Sequence, residues 1–483
     1  LKKVEWNIDM NEHEIEKSST TEGLPVSPSL GIALESAHVH KHVALVDKRV
    51  AFISLICVGL AGIATVVAQG LTLLIGLVTN IAFYGRISTQ FSSPANNTLG
   101  FWVIGIPVVG SVIVGLMARY GSKAIRGHGI PEAMEQILLN ESKIPARMIF
   151  LKPISAAIAI GTGGPFGAEG PIIATGGAVG SFVGQLFKTN ANETKTLLAA
   201  GAASGMTAIF GSPVAAVLLA IELLLFEFKP RSIIPVAIAT TVAAVLRVSL
   251  LGADPAFSMQ TIQPAGAFAL LAYLVEGLVL GVFSVFLTKA VYGIEDAFER
   301  LPIHWMWWPS LGGLIVGIIG LLSPHTLGVG YDNIDKILSG SFIGTSLIVF
   351  CVLKFISWAV ALGSGTSGGT LAPIFTIGGG AGAAFGAFFS GLFPMLQIDI
   401  RTAALVGMAA TFAGASRALL TSVIFAFETT RQPNALIPLL GACSVSYLVS
   451  ALLMRNTIMT EKLVRRGHHV PTEYTALHPV SSK

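Results

Sequence analysis

Between Val50 and the region of Met454 the sequence returns repeatedly to apolar stretches long enough to cross a bilayer, for which about 20 residues are needed. Composition agrees with that reading. Of 483 residues, 53% are hydrophobic and 12% charged, and the mean hydropathy is +0.74, whereas a soluble domain carries roughly 25% charged residues. The chain is therefore read as an all-α polytopic membrane protein. A net charge of +4 over this length does not indicate a nucleic-acid partner, and the basic residues are read locally, as topology signals. Cys57, Cys351 and Cys443 lie in apolar segments without CxxC spacing, so they are read as packing residues, with no metal site.

Four regions follow from composition. Residues 1–48 are polar and rich in Glu, Ser, Thr and His, and are read as a flexible cytoplasmic tail. Within it, SAHVHKH places His38, His40 and His42 together, for which a solvated tail is favoured over a metal site. Residues 49–250 and 251–466 form two membrane units, and 467–483 a short cytoplasmic tail with no room for a soluble regulatory domain. Lys48 and Arg49 precede the first apolar run, the connection 84–100 carries only Arg86, and the next holds Arg119, Lys123 and Arg126. That alternation puts the N-terminus and the 119–126 loop inside and the sequon at Asn96 outside; the expected location is a plasma or inner membrane with both termini cytoplasmic.

The two units are copies. GTGGPFGAEGPIIATGGAVG at 161 aligns without gaps to GSGTSGGTLAPIFTIGGGAG at 363, an offset of 202 residues. The interval from Gly201 to Glu222 equals that from Gly407 to Glu428, and GHG at 127 has a weaker counterpart in GVG at 328. Such copies face the membrane either the same way or oppositely; inverted copies bring matching loops to the midplane, where broken helices aim their N-termini at a shared ligand. Each glycine loop here runs, with a Pro close behind, into an apolar helix. The first turn of a helix has unpaired N–H groups and about half a positive charge. Three such starts, after His128, Ala168 and Gly369, would together hold a small anion without a full positive charge.

Glu222 is matched by Glu428, which points to a shared structural task at helix ends. Glu169 is matched by Leu371, so one copy carries a carboxylate the fold does not require. A carboxylate at a helix start competes for the amides that would hold an anion and leaves on protonation. Glu169 is thus read as gate and proton acceptor. Lys354, in mid-span, is read as structural, and Glu227 with Lys229 as a membrane boundary.

GHGIPE (127–132), GAEGP (167–171), GTLAP (369–373) and IMTEKLVRRG (458–467) resemble the CLC family of voltage-gated-type chloride channels and chloride/proton antiporters, whose motifs are GSGIP, GREGP, GxFxP and a late tyrosine. The resemblance covers about residues 45–467. It implies a homodimer with an inverted repeat of tilted and half-spanning helices, about 18 segments per subunit, and one anion pathway in each. It also implies that Glu169 corresponds to the gating glutamate. The anion-binding positions then fall on His128, Gly129, Ile130, Ala168, Gly170, Thr370, Leu371 and Ala372, with the backbone of Glu169 itself and a contact from Met459. The partners implied are small inorganic anions and protons, with no cofactor.

Departures from the motifs bear on mechanism. His128 replaces the central serine, Ala168 an arginine, Leu371 a phenylalanine and Met459 the tyrosine; a thioether gives no comparable hydrogen bond. Leu223 occupies the place of the inner glutamate that delivers protons in many antiporters, leaving His128 as a candidate proton relay or as a neutral N–H donor to the anion. The favoured function is anion/proton antiport, with chloride or a similar anion as substrate. A passive anion channel is the alternative, and an intramembrane hydrolase built on Ser367 and His128 a remote third.

Overall fold

The computed structural model describes residues 46–468 and 470; His38, His40 and His42 lie outside the described residues. Two sets of eight helices follow one another. The first comprises α1 (Lys48–Tyr84), α2 (Gly105–Tyr120), α3 (Ile130–Leu139), α4 (Met148–Gly161), α5 (Glu169–Leu186), α6 (Ala191–Phe210), α7 (Pro213–Leu219), which runs on as a π-helical turn to Leu225, and α8 (Pro230–Leu251). The second comprises α9 (Ala267–Glu299), α10 (Trp308–Leu322), α11 (Tyr331–Leu338), α12 (Thr345–Gly363), α13 (Leu371–Leu392), α14 (Ile400–Ser416), α15 (Leu419–Thr430) and α16 (Leu436–Leu453). A short α17 (Glu461–Arg465) closes the series. Among the described residues there is no strand, and eight of the helices are long and apolar enough to cross a membrane.

Glycine sets the packing of the central helices. A methyl on Gly176 of α5 would lie 2.3 Å from the carbonyl of Gly201 on α6, and one on Gly201 2.2 Å from that of Gly176. The second copy repeats the crossing with Gly378 of α13 and Gly407 of α14, at 2.7 and 2.4 Å. Small residues let helix backbones touch where side chains would hold them apart. These glycines therefore do packing work, and a different subset faces the site.

The relative direction of the copies, which the repeat alone leaves open and the resemblance expects to be inverted, is seen in two reciprocal contacts. Glu222, at the end of α7, accepts from the N–H groups of Leu420 and Thr421 at the start of α15, both at 3.0 Å, and from the Thr421 hydroxyl at 2.6 Å. Glu428, at the end of α15, accepts from Val214 and Ala215 at the start of α7, at 3.1 and 2.8 Å. Each helix ends beside the other's beginning, so α7 and α15 are antiparallel and the copies are inverted. The second contact joins equivalent residues: Gly167 and Gly369 pair antiparallel and exchange both backbone bonds, at 3.3 and 2.9 Å. Two equivalent residues bonded to each other in this way mark the pseudo-twofold axis.

Lys354 has the structural role expected, and it is one of a pair. Its fully buried ammonium donates to the carbonyls of Thr326 and Gly328, at 2.9 and 3.1 Å. Lys152 of α4, at the matching position 202 residues earlier, donates to Ile125 and Gly127, at 2.8 and 2.9 Å. Each lysine ties down the glycine turn that precedes a short helix, α11 in one copy and α3 in the other. At the boundary, Glu227 pairs with Lys229 at 2.9 Å.

Replacing Lys354 by methionine takes the ammonium donor from the Thr326 and Gly328 carbonyls, and replacing Lys152 takes it from those of Ile125 and Gly127, the latter keeping the Gly368 N–H at 3.3 Å; a hydrogen bond to a charged group is worth about 1.5–3 kcal/mol. Lys152→Met and Lys354→Met are expected to lower the thermal unfolding midpoint in detergent by similar amounts. A Lys354→Met protein with altered transport and an unchanged midpoint would contradict the structural role.

Candidate anion site and inner vestibule

Three helix starts converge where the two copies meet. α3 begins after the GHG turn, with Gly129 at φ +95° as its N-cap. α5 begins at Glu169 behind Ala168, and α13 at Leu371 behind Thr370. A methyl on Gly129 would sit 2.2 Å from the carbonyl of Gly170, and one on Gly170 1.8 Å from that of His128 and 3.1 Å from Cα of Gly369. Only glycine permits that approach. Ala168, Glu169, Gly170, Thr370, Leu371 and Ala372 are all buried, and N–H groups in a first turn have no carbonyl one turn back to bond.

Glu169 is fully buried at this junction. Oε1 accepts a hydrogen bond from the hydroxyl of Tyr331 at 2.9 Å. Oε2 has no hydrogen-bond partner among the described residues. It lies over the glycine pair on the axis, 1.7 Å from where a methyl on Gly167 would be and 2.9 Å from one on Gly369. Two more buried polar atoms without partners belong to the other starts: Nδ1 of His128 before α3 and the hydroxyl of Thr370 before α13. Buried polar atoms are ordinarily paired, and unpaired ones are costly. Three of the buried polar atoms without partners among the described residues thus belong to these three starts.

Gly129 departs from its expected part as a donor to an anion. Its N–H donates to Oε2 of Glu132 at 2.7 Å, and Oε1 of Glu132 is held by Lys462 of α17 at 2.6 Å. The start of α3 is thereby capped from within, leaving the His128 ring and the Ile130 backbone on that side. Arg466, beyond α17, pairs with Glu135 of α3 at 2.6 Å, so the last helix is pinned to the first motif by two ion pairs.

His128 also lines a cavity of about 670 Å³ that opens beside the 119–126 connection. Arg126, Lys462 and Arg466 share its wall with Glu132, Glu295 and Glu299, and the Arg126 guanidinium sits over Trp305 at 5.0 Å. Met459 is fully buried and does not line the cavity; its neighbour Ile458 does. The Ile458 carbonyl accepts the Tyr292 hydroxyl at 2.8 Å, so a phenol from α9 lies beside the turn where a methionine stands for the family's tyrosine. Leu223 is buried in the apolar core. Ser367 is fully buried and receives the Ser155 hydroxyl at 3.1 Å; among the described residues no imidazole is hydrogen-bonded to it.

Tyr331, Glu132 and Lys152 were not picked out from the sequence. One signal for Tyr331 was available: GHG is followed by Ile130 and its counterpart GVG by a tyrosine. The other two needed the fold, because their partners are distant in sequence or are backbone atoms.

An inverted helical repeat whose broken helices point their N-termini at an interior site defines a membrane channel or transporter rather than an enzyme. Residues 109–451 match the family described as voltage gated chloride channel, and the chain belongs to that family. It is 32% identical over 415 residues to the H(+)/Cl(-) exchange transporter ClcA of Vibrio vulnificus, a match covering 81% of this chain and 88% of the relative. It is 30% identical over 408 residues to chloride channel protein CLC-f of Arabidopsis thaliana, covering 79% of this chain and 51% of that longer protein. The fold is similar to that of a slow cyanobacterial Cl-/H+ antiporter, with TM-score 0.73, 23% identity, and 86% and 96% of the two chains covered. A CLC-type fluoride/proton antiporter gives TM-score 0.69 at 20% identity, covering 83% and 95%.

Gly369→Ala places a methyl 2.5 Å from the Gly167 carbonyl and 2.9 Å from Oε2 of Glu169. It is expected to weaken chloride binding at least about tenfold, since a shift of 1.4 kcal/mol suffices, while the protein still elutes as a single species. Titration calorimetry with chloride checks this; unchanged affinity would remove the glycine pair from the site.

Proposed function

We propose that this protein exchanges a small anion, chloride or one like it, for protons across the membrane, with Glu169 as gate and proton acceptor. The observation that carries the reading is the set of unpartnered buried polar atoms on His128, Glu169 and Thr370, one at each converging helix start. A carboxylate seated among first-turn amides stands where an anion would stand. Protonation removes its charge and its claim on those amides, which links proton uptake to anion entry. The anion is held by the backbone of Ala168, Glu169, Gly170, Leu371 and Ala372, by Thr370, and on the vestibule side by His128 and the Ile130 backbone. No cofactor takes part.

The Vibrio relative is an H(+)/Cl(-) exchange transporter, which supports the coupled reading. On the vestibule side the His128 backbone approaches Gly170 at the α5 start, and its imidazole is the candidate relay. The basic connection at 119–126 supports a cytoplasmic vestibule and termini, in a plasma or inner membrane. The family supports a homodimer with a pathway in each subunit. One observation favours a passive anion channel instead: Leu223, at the inner-glutamate position, is buried among apolar side chains and cannot carry a proton.

The reversal potential of reconstituted protein under combined anion and pH gradients separates the two. Antiport moves it with pH, and Glu169→Gln is expected to abolish proton movement while anion flux persists. A potential that follows the anion gradient alone, in the unmodified protein, would leave the channel.

A further inference from the structure

The hydrogen bond between Tyr331 and Glu169 joins the first residue of α11 to the first residue of α5, one from each copy. The repeat provides an internal comparison. The position equivalent to Tyr331 is Ile130 and that equivalent to Glu169 is Leu371, both fully buried and apolar. The fold thus tolerates an apolar pair at these positions. The hydroxyl and the carboxylate are departures from the repeat that occur together.

The phenol ring is held by packing as well as by its hydroxyl. Phe210 meets it edge-on at 5.8 Å and Phe257 at 6.1 Å. Phe210 in turn packs on Phe425 at 5.2 Å, and Phe425 stacks on Phe375 of α13 at 4.9 Å. Aromatic contacts of this kind fix a ring's place and orientation, so the hydroxyl cannot travel with the carboxylate. Oε2 has no partner, which leaves Tyr331 as the one side chain among the described residues that hydrogen-bonds to Glu169.

We propose that Tyr331 is the latch of the gate: a positioning residue whose hydroxyl holds the Glu169 carboxylate over Gly167 and Gly369 and lets go when that side chain leaves. The inference rests on Glu169 being the gate. An ionised carboxylate is a stronger acceptor than a neutral carboxyl, so the latch grips the closed, charged form most firmly. It sets how readily an anion or a proton opens the site.

The test uses the full chain in liposomes, with anion efflux and proton uptake recorded for the unmodified protein, Tyr331→Phe, Glu169→Ala and the double variant. Phenylalanine keeps the ring in its aromatic surroundings and removes only the oxygen. Tyr331→Phe is expected to raise anion flux by roughly tenfold to a hundredfold, the range for losing a hydrogen bond to a charged group, and to lower the number of protons moved per anion. On the Glu169→Ala background the same substitution is expected to change flux by less than about twofold, because the latch has nothing to hold. A purely structural tyrosine would instead change flux equally on both backgrounds, which overturns the latch, as does a Tyr331→Phe protein identical to the unmodified one. If Tyr331→Phe gives no well-behaved protein, Tyr331→Trp is measured against the same two outcomes. Proton movement that survives Glu169→Ala overturns the gate and the latch together; loss of proton movement there with a silent Tyr331→Phe overturns the latch alone.

Discussion

A helix that begins inside a membrane exposes N–H groups that no water can satisfy, and the way each start is answered organises this molecule. The starts of α7 and α15 are closed by carboxylates sent across from each other's ends, Glu428 and Glu222. The start of α3 is closed in part by its own Glu132, itself fixed by Lys462. The starts of α5 and α13 are met differently: the group set beside them is a single tethered carboxylate whose Oε2 has no hydrogen-bond partner among the described residues. Closed starts make scaffold and open starts make a site.

The same division separates what the repeat preserves from what it breaks. Preserved are the glycine crossings of α5 on α6 and of α13 on α14, the lysines that tie down the two glycine turns, and the glycine pair on the axis. All are demands of packing or of backbone satisfaction, which both copies share. Broken are Glu169 against Leu371, His128 against Val329 and Tyr331 against Ile130. Each of these places a titratable or hydrogen-bonding group where the other copy is apolar; two of them bond to each other, and the third lines the vestibule. Symmetry built the cradle, and its loss supplied the chemistry inside it.

The vestibule side shows how a family site is altered without altering the fold. Losing the hydroxyl at Met459 leaves a buried thioether in the turn before α17, yet Tyr292 reaches the neighbouring carbonyl from α9. The imidazole of His128, larger than a serine hydroxyl, lines the cavity floor with a free ring nitrogen. Two ion pairs hold α17 against α3, so the altered residues are carried on elements that are fixed to one another.

Much of this was legible in the chain. Apolar length determined a membrane protein, the offset of 202 residues determined two copies, and comparing them isolated Glu169 while assigning Glu222 and Glu428 a shared task. The Gly-rich helix starts and the residues that form them were legible as well, because motif and symmetry are written locally. Tertiary structure decided the rest. It supplied the contacts that make the copies inverted, which the motifs implied but the repeat alone did not, since a repeat records equivalence and not the axis that relates it. It gave the Gly129 amide to Glu132, found Lys152 as the twin of Lys354, and set Tyr331 on Glu169 across 162 positions of sequence. Contacts of that range leave no periodic trace, because they depend on where two helix ends arrive and not on what surrounds either residue in the chain.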